Sequence, residues 1–246
     1  MKKFLILLKH EYEGMFLPLC IIVATMAVLQ LILFGNALRD DYINAPFSHY
    51  VNSSRISAIF AIAYTGLLVL LGMRFIRNYT PSKNIYALLT LPIKRGDVYM
   101  VKLASTAIAG LVLLATQLIV ILLIFMQFQI FSQNADTRNA DLYLALLDVG
   151  FLRLLFPPDA FSLIFTLLSF FGTICVTFYI AVKLKSGGAN LAIIIAAGWL
   201  AFLLLTFPFG NFTRLGNLVV LIIMLSVPIG TTARGIKLFE SGEVAR

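Results

Sequence analysis

The chain has 246 residues, of which 61% are hydrophobic and only 12% are charged. Soluble domains are about 45–50% apolar and about 25% charged, so this composition excludes an ordinary soluble domain. It also excludes a disordered chain, which needs a high content of polar and charged residues. Two cysteines, both inside apolar runs, are too few for a disulfide scaffold.

Six apolar stretches are long enough, or nearly long enough, to cross a membrane as helices, because about 20 helical residues span an apolar layer of about 30 Å. They contain no Asp, Glu, Lys, Arg or His and cover residues 15–34, 56–73, 103–126, 160–182, 189–207 and 216–232. Uninterrupted runs of this length indicate helices rather than barrel strands. The sequence therefore predicts an all-α membrane protein with six transmembrane helices in a single domain over residues 1–246.

The basic residues predict which side of the membrane holds the termini. Six crossings place both ends on the same side, and if that side is the cytoplasm, 14 of the 19 Lys and Arg residues lie inside and five outside. Such an asymmetry is the positive-inside pattern of multi-pass proteins. We expect both termini to be cytoplasmic, and the formal charge of +8 to face anionic lipid headgroups rather than nucleic acid.

Residues 1–14 precede the first apolar run and have an amphipathic pattern. Phe4, Leu7, Leu8 and Tyr12 recur at helical spacing among charged residues, which predicts an N-terminal interfacial helix. The alternative is that this segment is only the start of the first span. A cleaved signal peptide is disfavoured, because no small-residue cleavage site follows the apolar run.

The longest predicted cytoplasmic loop covers residues 74–102. Ser82 can cap a helix, and apolar side chains then recur at i, i+3 and i+4 at Ile85, Leu88 and Leu89. Pro92 ends this short helix, because proline disfavours helical geometry in the residue before it. The pattern fits a helix that docks on a partner, and it equally fits a headgroup anchor with no partner.

On the outer side, residues 141–155 have a helix-like apolar pattern that ends before two prolines. This pattern predicts an amphipathic helix that precedes the fourth span.

The predicted cytoplasmic loop over residues 74–102 carries a motif that resembles one in a known family. It consists of Tyr86-Ala87-Leu88-Leu89-Thr90-Leu91-Pro92-Ile93-Lys94-Arg95, followed by Tyr99 and Lys102-Leu103. It resembles the intracellular loop of permease subunits of ABC transporters of the type 2 exporter class. In that family a leucine, a proline and small or basic residues precede a tyrosine and a lysine at the entry to the third span. The order of elements is also similar to the family's, and the length and low charge resemble permeases of Gram-positive exporters of amphipathic peptides, such as the phenol-soluble modulin exporter.

The resemblance implies a coupling helix seated in a cleft of a separate cytoplasmic ATPase subunit, in a bacterial plasma membrane. Two ATPase chains would join two permease chains, identical or paralogous. The implied docking surface consists of Ile85, Tyr86, Leu88, Leu89 and Pro92, with Lys94, Arg95 and Asp97 as charges at its rim. ATP and Mg²⁺ would bind the ATPase, since this chain has no G-x-x-x-x-G-K-[ST] motif, and no cofactor or metal is expected in the chain itself.

Enzymatic chemistry is not indicated. His10 and His49 lie on opposite predicted sides, and neither Gly-x-Ser-x-Gly nor His-Glu-x-x-His occurs. Polar residues within the spans are explained by helix packing or by a mildly polar path for an amphipathic substrate. In the resembled family the second and fifth spans face the partner permease, which makes Tyr64, Thr65 and Trp199 candidates for that path.

The sequence thus predicts a permease subunit of an ATP-driven exporter that carries a peptide, an antibiotic or a lipid-like molecule. One alternative is a secondary carrier without an ATPase, which would need a titratable residue within the spans that the sequence lacks. Another alternative is a non-transporting assembly or sensor subunit.

Overall fold

The computed structural model describes residues 2–40, 45–78, 95–131, 138–157, 159–206 and 214–240. Within these ranges the chain is almost entirely helical and has no strand. The helices are α1 (Lys2–Asp40), α2 (Phe47–Ser53), α3 (Ile56–Asn78), α4 (Arg95–Phe131), α5 (Arg138–Asp148), α6 (Gly150–Leu155), α7 (Ala160–Lys185), α8 (Ala189–Thr206) and α9 (Arg214–Glu240).

Five of these helices are long and apolar enough to cross a membrane, at Phe4–Arg39, Ile56–Arg74, Gly96–Phe131, Ala160–Lys185 and Val219–Leu238. They contain the first, second, third, fourth and sixth predicted spans. The fifth predicted span forms α8, Ala189–Thr206, which with 18 residues is the shortest of the six helices that contain predicted spans. The prediction of an all-α fold is confirmed for the described residues, and five helices have the length and composition that a multi-pass membrane protein requires. The count of six crossings and the side of the termini stay predictions.

The N-terminal part of the chain differs from the predicted pattern. Residues 1–14 were expected to form a helix of their own, yet α1 continues without a break from Lys2 to Asp40. Pro18 lies inside α1 and removes only one backbone donor, the one that would bond the carbonyl of Gly14. With 39 residues, α1 is about 58 Å long, nearly twice the thickness of a bilayer's apolar core.

The predicted outer helix over 141–155 is present as two helices, α5 and α6, which are separated at Val149. This residue has an extended backbone and precedes Gly150, a poor helix former, so the chain turns there. The short helix α2 was not predicted, because seven residues are too few for a clear periodic signal. Phe47, Tyr50 and Val51 are its buried residues.

Contacts group the chain into two compact units. The first unit comprises Met1–Gly14, Leu68–Ile108 and Leu167–Arg246, and the second comprises Met15–Leu67 and Ala109–Thr166. The core of the second unit contains a group of aromatic rings, in which Phe47 packs edge-on against Phe34 and Phe125. The core of the first unit contains Tyr99, Phe178, Ala181 and Val182.

Within the first unit a short turn joins α7 to α8. Gly187 has a φ of +80°, a left-handed conformation that glycine adopts without steric cost. The backbone N–H of Ser186 donates to the carbonyl of Val182 at 3.0 Å, and that of Gly188 donates to the carbonyl of Lys183 at 3.0 Å. These bonds satisfy carbonyls that would otherwise be exposed at the end of α7.

Candidate functional site

The residues that carry the family resemblance lead directly into α4. Ile85, Tyr86, Leu88, Leu89, Pro92 and Lys94 lie outside the described residues. Arg95 is the first residue of α4, and Asp97 is exposed in its first turn, where a carboxylate interacts favourably with the helix dipole. The first two turns of α4, residues 95–102, are therefore the part of this predicted site whose environment can be described.

Tyr99 anchors the beginning of α4 to two other helices of the first unit. Its side chain is fully buried, and its ring lies 5.1 Å from the ring of Phe178 in α7, in an edge-on arrangement. On another side it lies against the backbone of Gly235 in α9. A Cβ atom added at Gly235 would be 2.5 Å from the Tyr99 hydroxyl oxygen, which is closer than two such atoms can approach. The contact therefore requires glycine at position 235.

A second contact joins the same two helices, but here the glycine belongs to α4 and the side chains that cover it belong to α9. A Cβ atom added at Gly96 of α4 would lie 3.0 Å from Oε1 of Glu240 and 3.3 Å from Cγ2 of Ile236, both in α9. Each helix thus contributes one glycine, at Gly96 and Gly235, on which side chains of the other helix rest. Small residues at such contacts allow helices to approach closely.

Lys102, one turn after Tyr99, forms a buried ion pair with α1. Its Nζ atom lies 2.7 Å from Oε1 of Glu11, and the two side chains are 5% and 16% exposed. A buried charge needs such a partner, because its desolvation is costly. By contrast, the neighbouring pair Lys9–Glu13 has side chains that are 78% and 60% exposed and a separation of 3.7 Å.

The last turns of α3 also contact α1. A Cβ atom added at Gly14 would clash with Nη2 of Arg74 and would lie 3.1 Å from its Cζ atom. The guanidinium group of Arg74 is thus packed on the backbone of Gly14. Arg74 and Lys102 flank the predicted loop on either side, and both contact the single stretch Glu11–Gly14 of α1.

The predicted substrate-path residues have three different environments. Trp199 is 7% exposed, and its Nε1–H donates to Oγ1 of Thr173 at 3.1 Å. Its ring also lies over Gly172, since a Cβ there would be 2.9 Å from Cζ2 of the indole. Trp199 therefore packs α8 against α7 in the first unit.

In the second unit, Tyr64 is half-buried and its ring stacks on Phe60, with centroids 6.3 Å apart. Thr65 is exposed, and its hydroxyl donates to the Ala61 carbonyl at 2.8 Å within α3. Trp199 belongs to the first unit, and Tyr64 and Thr65 belong to the second, so their common role in a substrate path stays a prediction.

From the sequence, Tyr99 and Lys102 were recognised only as members of the motif, and neither was assigned a partner. Lys102 gave a signal in principle, since a lysine next to an apolar run needs a counter-charge, but Glu11 was not distinguishable from Glu13 without the fold. Gly96 and Gly235 gave no signal, because a single glycine in a helical pattern has several meanings.

The described residues contain no cluster of three or more His, Cys, Asp or Glu side chains that could hold a metal ion. Comparisons of the chain with protein-family models, with characterised proteins and with solved structures find no match.

Proposed function

We propose that the chain is the permease subunit of an ATP-driven exporter of the ABC type. It would form half of a translocation pathway for an amphipathic substrate and would couple to a separate ATPase subunit. The observation that carries this proposal is the environment of residues 95–102. The segment that resembles a coupling helix continues into a helix whose first two turns are packed on α1, α7 and α9.

In this proposal both termini are cytoplasmic, and ATP binding closes the dimer of ATPase subunits. The docking residues, from Ile85 to Pro92, move with the ATPase as a rigid body. Because Tyr99 packs on Gly235 and Ile236 packs on Gly96, a displacement of α4 moves α9 directly. Such small rigid shifts of packed helices are a common basis of switching transitions.

The proposed assembly contains two permease chains, since one chain with five or six crossings encloses only part of a pathway. Thr65, which is exposed and whose hydroxyl is satisfied within its own helix, is the predicted path residue best placed to meet a substrate or a second chain.

A substitution in the docking surface tests this function. Leu89→Asp places a charge in the apolar ridge, and we expect it to abolish substrate-stimulated ATP hydrolysis and export in liposomes that contain both subunits. Leu89→Met retains an apolar side chain of similar volume, and we expect it to preserve both activities. Joint reversal of Lys94 and Arg95 to acidic residues should weaken assembly with the ATPase. Full coupling in Leu89→Asp would refute the docking role.

The same liposomes separate the alternatives. Export of a fluorescent amphipathic peptide that continues when ion gradients are collapsed, and stops when ATP is removed, supports the proposal. Export that stops with the gradient while ATP is held constant would identify a secondary carrier. No export in the presence of a functional ATPase would favour an assembly or sensor subunit.

A further inference from the structure

Two glutamine side chains that the proposed function does not use meet inside the second unit. Gln30 of α1 and Gln117 of α4 are both fully buried. Nε2 of Gln30 donates to Oε1 of Gln117 at 2.9 Å and lies 3.4 Å from the backbone carbonyl oxygen of Ile56, the first residue of α3. This amide pair, Gln30 and Gln117, therefore lies where three helices meet.

The amide pair is only half satisfied. Oε1 of Gln30 and Nε2 of Gln117 are buried and have no hydrogen-bond partner in the described part of the chain. An unmade hydrogen bond at a buried polar group is destabilising, and the cost is higher in apolar surroundings. One acceptor and one amide donor are thus left without a partner, and each shares its amide carbon with an atom of the hydrogen bond between Gln30 and Gln117.

Reorienting the amides does not remove this deficit. The oxygen and nitrogen of an amide are assigned from their hydrogen bonds, so each side chain can be turned by 180° in principle. Turning one amide alone opposes two like atoms. Turning both keeps one bond between Gln30 and Gln117, again leaves one acceptor and one donor group unpaired, and removes the donor that faces the Ile56 carbonyl.

The missing partner must therefore donate one hydrogen bond and accept another. A cation would be repelled by the N–H groups of Gln117, and an anion by the carbonyl oxygen of Gln30. We propose that the amide pair binds a single water molecule, which accepts from Nε2 of Gln117 and donates to Oε1 of Gln30. Waters of this kind commonly satisfy buried polar groups in proteins.

A bound water would make the amide pair a complete polar connection between α1 and α4, with α3 attached through the Ile56 carbonyl. Water-mediated hydrogen bonds are nearly as favourable in enthalpy as direct ones. Because both side chains are fully buried, the site is separate from any path along an exposed helix face. The inference does not depend on the proposed function.

Magnetisation transfer from water to side-chain amides tests the inference directly. The chain has five glutamines, so selective ¹⁵N-glutamine labelling of the full chain in detergent micelles gives a simple spectrum that single Gln→Leu variants assign. We expect a cross-peak between water and the Gln117 amide whose sign reverses between laboratory-frame and rotating-frame experiments, as contact with a long-lived water requires. Absence of this cross-peak, or equal cross-peaks at Gln127 and Gln129, would overturn the proposal.

Variants of the amide pair provide a second test. We expect Gln30→Leu to abolish the water cross-peak of Gln117, whereas Thr116→Val, which removes a hydroxyl bonded within α4, should leave it unchanged. Gln30→Leu and Gln117→Leu should each lower the melting temperature by about 4–8 °C, and the double variant should recover most of the loss. Losses that simply add in the double variant would contradict a shared site.

Discussion

The phenol ring of Tyr99 in α4 rests directly on the backbone of Gly235 in α9. Gly96 makes the reverse contact, beneath Ile236 and Glu240 of α9. Because each helix provides both a glycine and the side chains that cover the other glycine, the contact is specified from both sides. It stabilises the first turns of α4, which follow the predicted docking segment.

Gly235 should not tolerate the addition of even one methyl group. Gly235→Ala places a Cβ against the Tyr99 ring, and we expect a loss of about 1–3 kcal/mol in unfolding free energy, as for overpacking in cores. Gly230→Ala in the same helix is the matched control, since a Cβ there meets nothing within 4 Å. This control should gain about 0.5–1 kcal/mol from helix propensity. Equal effects of the two substitutions in denaturant titrations would contradict the close contact.

The two ion pairs near the N-terminus should differ in their contribution to stability. Glu11→Ala leaves the buried ammonium group of Lys102 without its counter-charge, and we expect a loss of about 3–5 kcal/mol in unfolding free energy. Glu13→Ala breaks the exposed pair with Lys9 and should cost less than about 1 kcal/mol. The swap Glu11→Lys with Lys102→Glu should restore part of the loss. A swap that is worse than both single variants would argue against a direct pair.

Packing between α7 and α8 depends on another glycine. Gly172→Ala directs a Cβ at the Trp199 indole and at Pro228, whose Cγ would be 3.0 Å away, so we expect a loss of about 1–3 kcal/mol. Gly198→Ala, next to Trp199 in sequence, meets nothing within 4 Å and serves as the control. Trp199→Phe removes the indole atoms nearest to Gly172. The double variant Gly172→Ala with Trp199→Phe should therefore lose less unfolding free energy than the two single variants lose in sum. Additive losses would show that the indole is not in contact with Gly172.

The beginning of α7 should respond to acid. The Ser162 hydroxyl donates to Oδ1 of Asp159 at 2.7 Å and its backbone N–H donates to Oδ2 at 2.9 Å, which lowers the pKa of this carboxyl group below its usual value. A lowered pKa in the folded state means that ionised Asp159 contributes stability at pH values above the pKa of the same group in the unfolded chain. This contribution is lost as the pH falls through the folded pKa.

Asp159 caps the beginning of α7 by accepting the hydrogen bonds from Ser162. Two variants separate the stability that comes from its negative charge from the stability that comes from this cap. Asp159→Ala removes the cap and should cost about 1 kcal/mol at neutral pH. Asp159→Asn keeps an oxygen acceptor for the Ser162 N–H but cannot ionise, so the part of the acid response due to Asp159 should disappear. Thermal melts between pH 3 and pH 7 measure both effects, and an unchanged acid response in Asp159→Asn would assign it to other carboxyl groups.

The sequence was most informative where a single physical requirement dominates. Charge-free runs of about 20 residues predict helices because unsatisfied backbone groups are not tolerated in hydrocarbon, and five such helices are present. Boundaries were less predictable. Residues 2–14 continue α1, although their charges suggested a separate element, since neither Gly14 nor Pro18 is sufficient to end a helix that other helices support.

The partners of individual side chains could not be read from the sequence. Gln30 and Gln117 were recognisable as polar residues within spans, but their pairing joins positions 87 residues apart. The choice of Glu11 over Glu13 for Lys102 likewise depends on which face of α1 is covered. Such pairings follow from tertiary packing, which a single sequence specifies only through the complete fold.

The turn at Gly187 also has a consequence for biosynthesis. With only three residues between α7 and α8, the second helix follows the first out of the ribosome as the other arm of a hairpin. The bond from the Trp199 indole to Thr173 joins these two arms alone and can form before α9 is synthesised. With 18 residues, against 26 in α7, the shorter helix α8 would thereby gain its place in the membrane from its longer neighbour.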